Sequence, residues 1–267
     1  MKLIVEDLSF NYGPKLVLKG VTMDRAEPGM VTAAIGPNAA GKSTLLKCIA
    51  GLLRGRGRVL LDGRDAKTFG KDLIRYVTYL PQENPVNAVL TVFEAVLLAR
   101  QHAGSWQVSD DDLNAVSEVL HDLEIDDLAL RYLNELSGGQ KQMVSIAQAL
   151  VRNPRVLLMD EPTSSLDLQR QLEVLELMQR VTAERNMTTI IALHDLNLAA
   201  RYADHFVVMR EGAVYAAGAG HEVLTPEMLR DVYGVHGTVL LDQGGVPQVT
   251  ALGSLKRGRL VPQETMI

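Results

Sequence analysis

The segment Gly36-Pro37-Asn38-Ala39-Ala40-Gly41-Lys42-Ser43-Thr44 constrains this chain more than any other stretch. It joins a strand-like run, residues 29–35, to a run from Gly41 in which Leu45, Leu46, Ile49 and Leu52 recur with helical spacing. A strand that passes through a glycine-rich turn straight into a helix is the unit that cradles phosphate. The N–H groups at such a helix start lack partners, and the macrodipole favours an anion there. Lys42 is placed to reach terminal phosphates as a point charge, and Ser43 to ligate Mg²⁺. Ala39 departs from the usual glycine of such loops, because a left-handed backbone penalises a Cβ. The expectation is therefore a helix-like or extended backbone at Ala39.

Further along, the apolar run Val156-Leu157-Leu158-Met159 ends in Asp160 and Glu161. Two adjacent charges at the end of a buried strand need partners. Mg²⁺, held through water, supplies one for Asp160, which leaves Glu161 as the base that orients or deprotonates an attacking water. Residues 188–193 read as another strand. In a parallel sheet His194 would follow it beside Glu161, within reach of a terminal phosphate and that water.

Leu136-Ser137-Gly138-Gly139-Gln140 lies between these elements. Ser137 is an N-cap residue, Gln140 completes a capping-box spacing, and a helix through Leu150 follows. The plain reading is a helix start. However, Gly138 and Gly139 leave its N–H groups uncovered, so it offers a second anion site. One phosphate loop already serves the chain's own nucleotide. The economical explanation is that the second start serves the nucleotide of another copy, in a two-fold dimer with two ATP at its interface.

Residues 2–10, 29–35, 57–61 and 74–80 read as strands, and residues 82–154 as helical. Thr91 with Glu94 and Ser109 with Asp112 form capping boxes ahead of residues 92–99 and 113–123. Strands at 155–159, 188–193, 206–210 and 213–216 then alternate with helices at 169–184 and 196–202. This alternation predicts an α/β fold whose mainly parallel sheet is covered on both faces. Thr225-Pro226 starts a short helix through Tyr233, and residues 238–241 and 246–250 flank a turn as a small hairpin. The last dozen residues read as a mobile tail.

A net charge of −5 argues against a nucleic-acid partner, and the basic cluster Lys256-Arg257-Gly258-Arg259 reads as solvated charge. The single cysteine, Cys48, sits among apolar residues and reads as a reduced packing group. No apolar run approaches the ~18 residues that span a bilayer, and the acids near the start disagree with a secretory signal. The chain is expected in the cytosol, reaching a membrane only through a partner.

The phosphate loop, LSGGQ at 136–140 and the strand ending in Asp160-Glu161 together resemble the ATP-binding cassette (ABC) ATPases, over residues 1–235. The resemblance implies a P-loop NTPase core with a mixed, mainly parallel sheet, an N-terminal antiparallel β part and a helical subdomain inserted at about 83–152. Residues 236–267 are then a short C-terminal extension. It also implies roles: Tyr12 stacks on adenine, and Gln82 touches Mg²⁺ and the attacking water while opening the helical insertion towards a membrane partner. Ser164-Ser165-Leu166-Asp167 resembles the loop that contacts the other subunit, although Asp167 is equally a cap for the next helix. Residues 163–169, 194–204 and 225–233 look like the importers of ferric siderophores, haem and cobalamin. The implied protein is an ATPase on the cytoplasmic face of the membrane, peripheral to it. Its partners are a second copy of itself, integral membrane permease subunits and, indirectly, a solute-binding protein. A metal-chelate cargo leads over haem, cobalamin or another solute. The rivals are a soluble ABC ATPase that remodels protein or nucleic acid, and an ATP-binding switch with negligible turnover.

Overall fold

The structure is a computed structural model that describes residues 1–82, 89–101, 108–164 and 166–255. Ser165, the basic cluster at 256–259 and the expected tail lie outside the described residues, as does the expected beginning of the helical insertion at 83–88.

The chain opens with β1 (Leu3–Tyr12) and β2 (Lys15–Ala26), followed by β3 (Val31–Ile35), α1 (Lys42–Ile49), β4 (Arg56–Leu61) and the short β5 (Arg64–Asp65). A 3₁₀ run over Ala66–Arg75 leads into β6 (Val77–Leu80). Three helices come next: α2 (Val92–Arg100), α3 (Asp110–Asp122) and α4 (Gly138–Leu150). The α/β alternation resumes with β7 (Val156–Asp160), α5 (Leu168–Glu184), β8 (Thr188–Ala192), α6 (Leu196–Tyr202), β9 (His205–Arg210) and β10 (Ala213–Gly218). After α7 (Gly220–Val223) and α8 (Pro226–Met228), a π-helical turn, Leu229–Tyr233, leads to the hairpin β11 (Val235–Leu241) and β12 (Pro247–Ser254).

A six-stranded sheet, in the order β10-β9-β3-β8-β7-β6, is parallel except for β10. The strands β2-β1-β4-β5 form a second, antiparallel sheet that packs against the first. Strands β3, β7 and β8 are buried at every position, which is what cover on both faces demands. Their alternation divides the side chains between two cores. Ala33, Ile35, Leu157, Met159 and Ile191 pack with the helices, whereas Ala34, Val156, Leu158, Ile190 and Ala192 pack with α1 and the antiparallel sheet. Helix α2 packs on α3 and α4 through Val92, Ala95 and Val96, and both predicted capping boxes ahead of α2 and α3 are present.

Two expectations need correcting. Residues 74 and 75 end the 3₁₀ run instead of starting a strand, because Leu73 is the side chain that reaches the core there while Ile74 is exposed. Strand β2 has no counterpart among the sequence-predicted elements. Its burial pattern breaks strict alternation, since Gly20 adopts a left-handed backbone and the β1–β2 register shifts repeatedly. Cys48 is buried and unpaired as expected, and burial pushes its thiol up to about 11.

Candidate active site

Parallel pairing brings the carboxyl ends of β3, β8, β7 and β6 to one edge of the sheet, the place where open α/β sheets bind ligands. Gly36 follows β3, His194 follows β8, Asp160 ends β7 with Glu161 next, and Gln82 follows β6. Of these, Gln82, Glu161 and His194 line a cleft of about 840 Å³ together with Tyr12 and residues 38–44, while Gly36 and Asp160 join it through their hydrogen bonds to Lys42 and Ser43.

The loop at the floor is tightly set. A Cβ on Gly36, at φ 146°, would stand 2.2 Å from the Met209 carbonyl oxygen, so only glycine fits. Ala39 has φ 62°, a left-handed backbone, and the helix-like or extended expectation fails. The Ala40 N–H donates to the Pro37 carbonyl at 3.2 Å, closing a turn whose third residue is Ala39. The Gly212 N–H ties the Ala40 carbonyl at 3.0 Å, so the loop path is held from outside as well. The cost of a left-handed alanine is about 1–2 kcal/mol.

Lys42 is buried, and its ammonium donates to the carbonyls of Gly36 at 2.8 Å and Pro37 at 3.3 Å. Burial lowers its pKa, opposed by the nearby Glu161 and Asp160 carboxylates. Ser43 Oγ donates to Asp160 Oδ1 at 2.8 Å, and Tyr79 Oη donates to Asp160 Oδ2 at 2.9 Å. Burial pushes the Tyr79 hydroxyl well up, and the carboxylate it serves adds to the shift. Glu161 also carries a left-handed backbone, φ 51°, and its Oε1 contacts His194 Nε2, as the parallel-sheet argument expected. Strain of this kind persists where the surroundings over-determine a conformation, and it clusters at functional sites. Gln82 donates to Ser164 Oγ at 3.3 Å. Tyr12 stands half-exposed at the cleft, edge-on to Phe10 with ring centroids 4.8 Å apart.

The second helix start lies elsewhere. Ser137 Oγ accepts from the Gln140 N–H at 3.3 Å, and Gln140 Oε1 accepts from the Ser137 N–H at 3.0 Å, which completes the capping box. None of residues 136–140 lines the cleft; Gly139 and Gln140 border a separate hollow of about 570 Å³. A Cβ on Gly138 would meet nothing within 4 Å, and one on Gly139 only ordinary contacts at 3.7 Å. Neither glycine has a positive φ, so the described residues of this chain do not require glycine at either position. Asp167 caps α5, accepting from the Arg170 N–H at 2.9 Å.

Sequence reasoning missed Tyr79, and also Lys15 and Lys19, which line the cleft from β2. Tyr79 stands two positions before Pro81 in a strand whose partner ends in Asp160. That pairing was the available signal.

Comparison with known proteins identifies the family of the chain. The family described as "ABC transporter" matches residues 18–164. An uncharacterized ABC transporter ATP-binding protein of Methanocaldococcus jannaschii is 43% identical over 255 residues, covering 95% of this chain and 99% of that protein. The iron(3+)-hydroxamate import ATP-binding protein of Bacillus subtilis is 35% identical over 244 residues, covering 90% of each chain. A solved structure described as an inward-facing ABC transporter of the metal-chelate type superposes with a TM-score of 0.81 at 26% identity, covering 94% of this chain and 98% of that one.

Proposed function

This chain belongs to the ABC transporter family as its ATP-binding, ATP-hydrolysing part, and on that premise we propose that two copies power uptake of a metal chelate of the iron–siderophore type through a separate permease. The iron-hydroxamate and metal-chelate relatives support the cargo class. In this proposal the chain sits at the cytoplasmic face of the membrane, with a solute-binding protein upstream. No helix of the described residues is long and apolar enough to cross a membrane; in this reading a separate permease supplies the conduit.

In this reading adenine stacks on Tyr12 and the triphosphate lies over the start of α1, where Lys42 exchanges its carbonyl partners for phosphate oxygens. Ser43 Oγ and Asp160 Oδ1, only 2.8 Å apart, are hard oxygen donors suited to Mg²⁺, with the Gln82 side-chain carbonyl at the same cleft. Bound there, the ion would supply positive charge to the phosphate oxygens. Glu161 takes a proton from water as the water oxygen bonds to the terminal phosphorus. The bond from that phosphorus to its bridging oxygen breaks, and ADP leaves with the electron pair. His194 holds Glu161 and hydrogen-bonds the terminal phosphate. The Ser137–Gln140 helix start of one copy closes over the nucleotide of the other, and the preference of ATP for that closed state drives the permease.

The observation that carries this reading is the open, sterically unneeded Gly138-Gly139 start standing outside its own chain's cleft. The test mixes a Lys42→Ala protomer with a Ser137→Arg protomer. Each is inactive as a homodimer, yet a mixed pair retains one site with both Lys42 and Ser137 intact, so mixing restores hydrolysis. Activity that stays at the sum of the separate proteins would refute the shared site. Hydrolysis by the wild type that Glu161→Gln abolishes separates an ATPase from a switch, and loss of chelate uptake in a deletion strain tests the cargo.

A further inference from the structure

The C-terminal hairpin is tied to the segment that carries His194. The Asn197 side chain is the tie: its Nδ2 donates to the Val249 carbonyl at 3.2 Å, and its Oδ1 accepts from the Val249 N–H at 2.7 Å. A single amide thus engages both backbone groups of one β12 residue, as a neighbouring strand would. Asn197 lies three residues after His194, in the first turn of α6. The Asp195 cap accepts from the N–H groups of Asn197 at 2.8 Å and Leu198 at 3.0 Å, which closes the first turn of α6 directly after His194. Val239 and Val249 anchor the hairpin on the core, and the Leu255 N–H ties its far end to the Gly234 carbonyl at 2.8 Å.

We propose that the hairpin, through Asn197, is a positioning device that sets His194 against Glu161. This rests on the role given to His194 above. Helix α6 has only 7 residues, too short to hold its own N-terminus rigid. Strand β8 fixes the chain before His194; the Asn197–Val249 pair fixes it after. Hydrolysis depends on near-attack geometry, so release of the second anchor lowers turnover while the Tyr12 and Lys42 contacts that hold the nucleotide stay in place.

Two full-chain variants release it by different routes. Asn197→Ala removes both bonds. Val249→Pro removes the N–H directed at Asn197 along with part of the Val249 packing, keeps the carbonyl that Asn197 donates to, and lies on the side of β12 that faces away from β11, where proline is tolerated. Both are expected to lower kcat about tenfold while KM for ATP and the affinity for ATP change by less than about threefold, since Tyr12 and Lys42 are untouched. In a His194→Ala background, adding Asn197→Ala is expected to cause no further loss. Wild-type kcat in both single variants overturns the proposal. So does an Asn197→Ala loss of the same factor with and without His194, because that would mark a general structural effect. Wild-type turnover in His194→Ala alone would instead remove the catalytic role of His194 itself.

Discussion

The two glycine-containing helix starts, at α1 and α4, look alike in sequence and differ in what holds them. The α1 start is closed onto its own chain: the Met209 carbonyl forces Gly36, the Lys42 ammonium is clipped to two carbonyls, and Ser43 bonds Asp160. The α4 start is self-contained and open, with a reciprocal Ser137–Gln140 box and space over Gly138. A glycine that its own fold requires speaks of local geometry. A helical glycine that its own fold does not require costs about 1 kcal/mol relative to alanine, and so speaks of something that must approach from outside.

The sharpest way to break this contrast is to measure nucleotide binding by separate monomers. Lys42→Ala should weaken ATP binding about 100-fold through lost charge-assisted bonds, whereas Ser137→Arg should leave monomer affinity unchanged by isothermal titration. Equal losses would merge the two starts into one site. Stability comes next. Gly36→Ala should cost about 3 kcal/mol or more in denaturant unfolding, since neither the backbone angle nor the carbonyl can yield. By contrast, Gly138→Ala should stabilise by up to about 1 kcal/mol while it lowers hydrolysis, a pairing that a purely structural glycine would not produce. Ala39→Gly should raise stability by about 0.5 kcal/mol, because relief of strain is partly offset by a looser unfolded chain; ATP affinity should shift less than about threefold, which is under 1 kcal/mol.

The smallest effect is a pH trend. Lys42 has a folded-state pKa lowered from 10.5, so its buried charge opposes folding at neutral pH. As pH rises from that lowered value towards 10.5, the native state gives up the proton while the unfolded state keeps it, and the penalty fades. Nucleotide-free Lys42→Met should therefore be more stable than wild type, with a gap that narrows on alkaline titration. The α4 start has no titratable side chain among Ser137–Gln140, and Ser137→Ala should show no such trend.

Local grammar made much of the molecule legible. Thr91–Glu94, Ser109–Asp112 and Ser137–Gln140 each mark a helix start in the sequence, and each forms its box. The placing of His194 beside Glu161 needed only the parallel order of β7 and β8. Strand β2 stayed hidden because consecutive exposed pairs at Lys19-Gly20 and Asp24-Arg25 break its alternation.

The sequence by itself determined the α/β class, the phosphate-binding turn and the residue types at each strand end, because periodicity, capping and turn chemistry act over a few residues. Only the tertiary structure decided that Ala39 is left-handed, that Tyr79 holds Asp160 and that Asn197 grips Val249. Those outcomes depend on groups far apart in the chain: Tyr79 and Asp160 are 81 residues apart, and the Ala40 carbonyl is held from the turn between β9 and β10 by Gly212. No local pattern encodes which distant partner the fold will deliver.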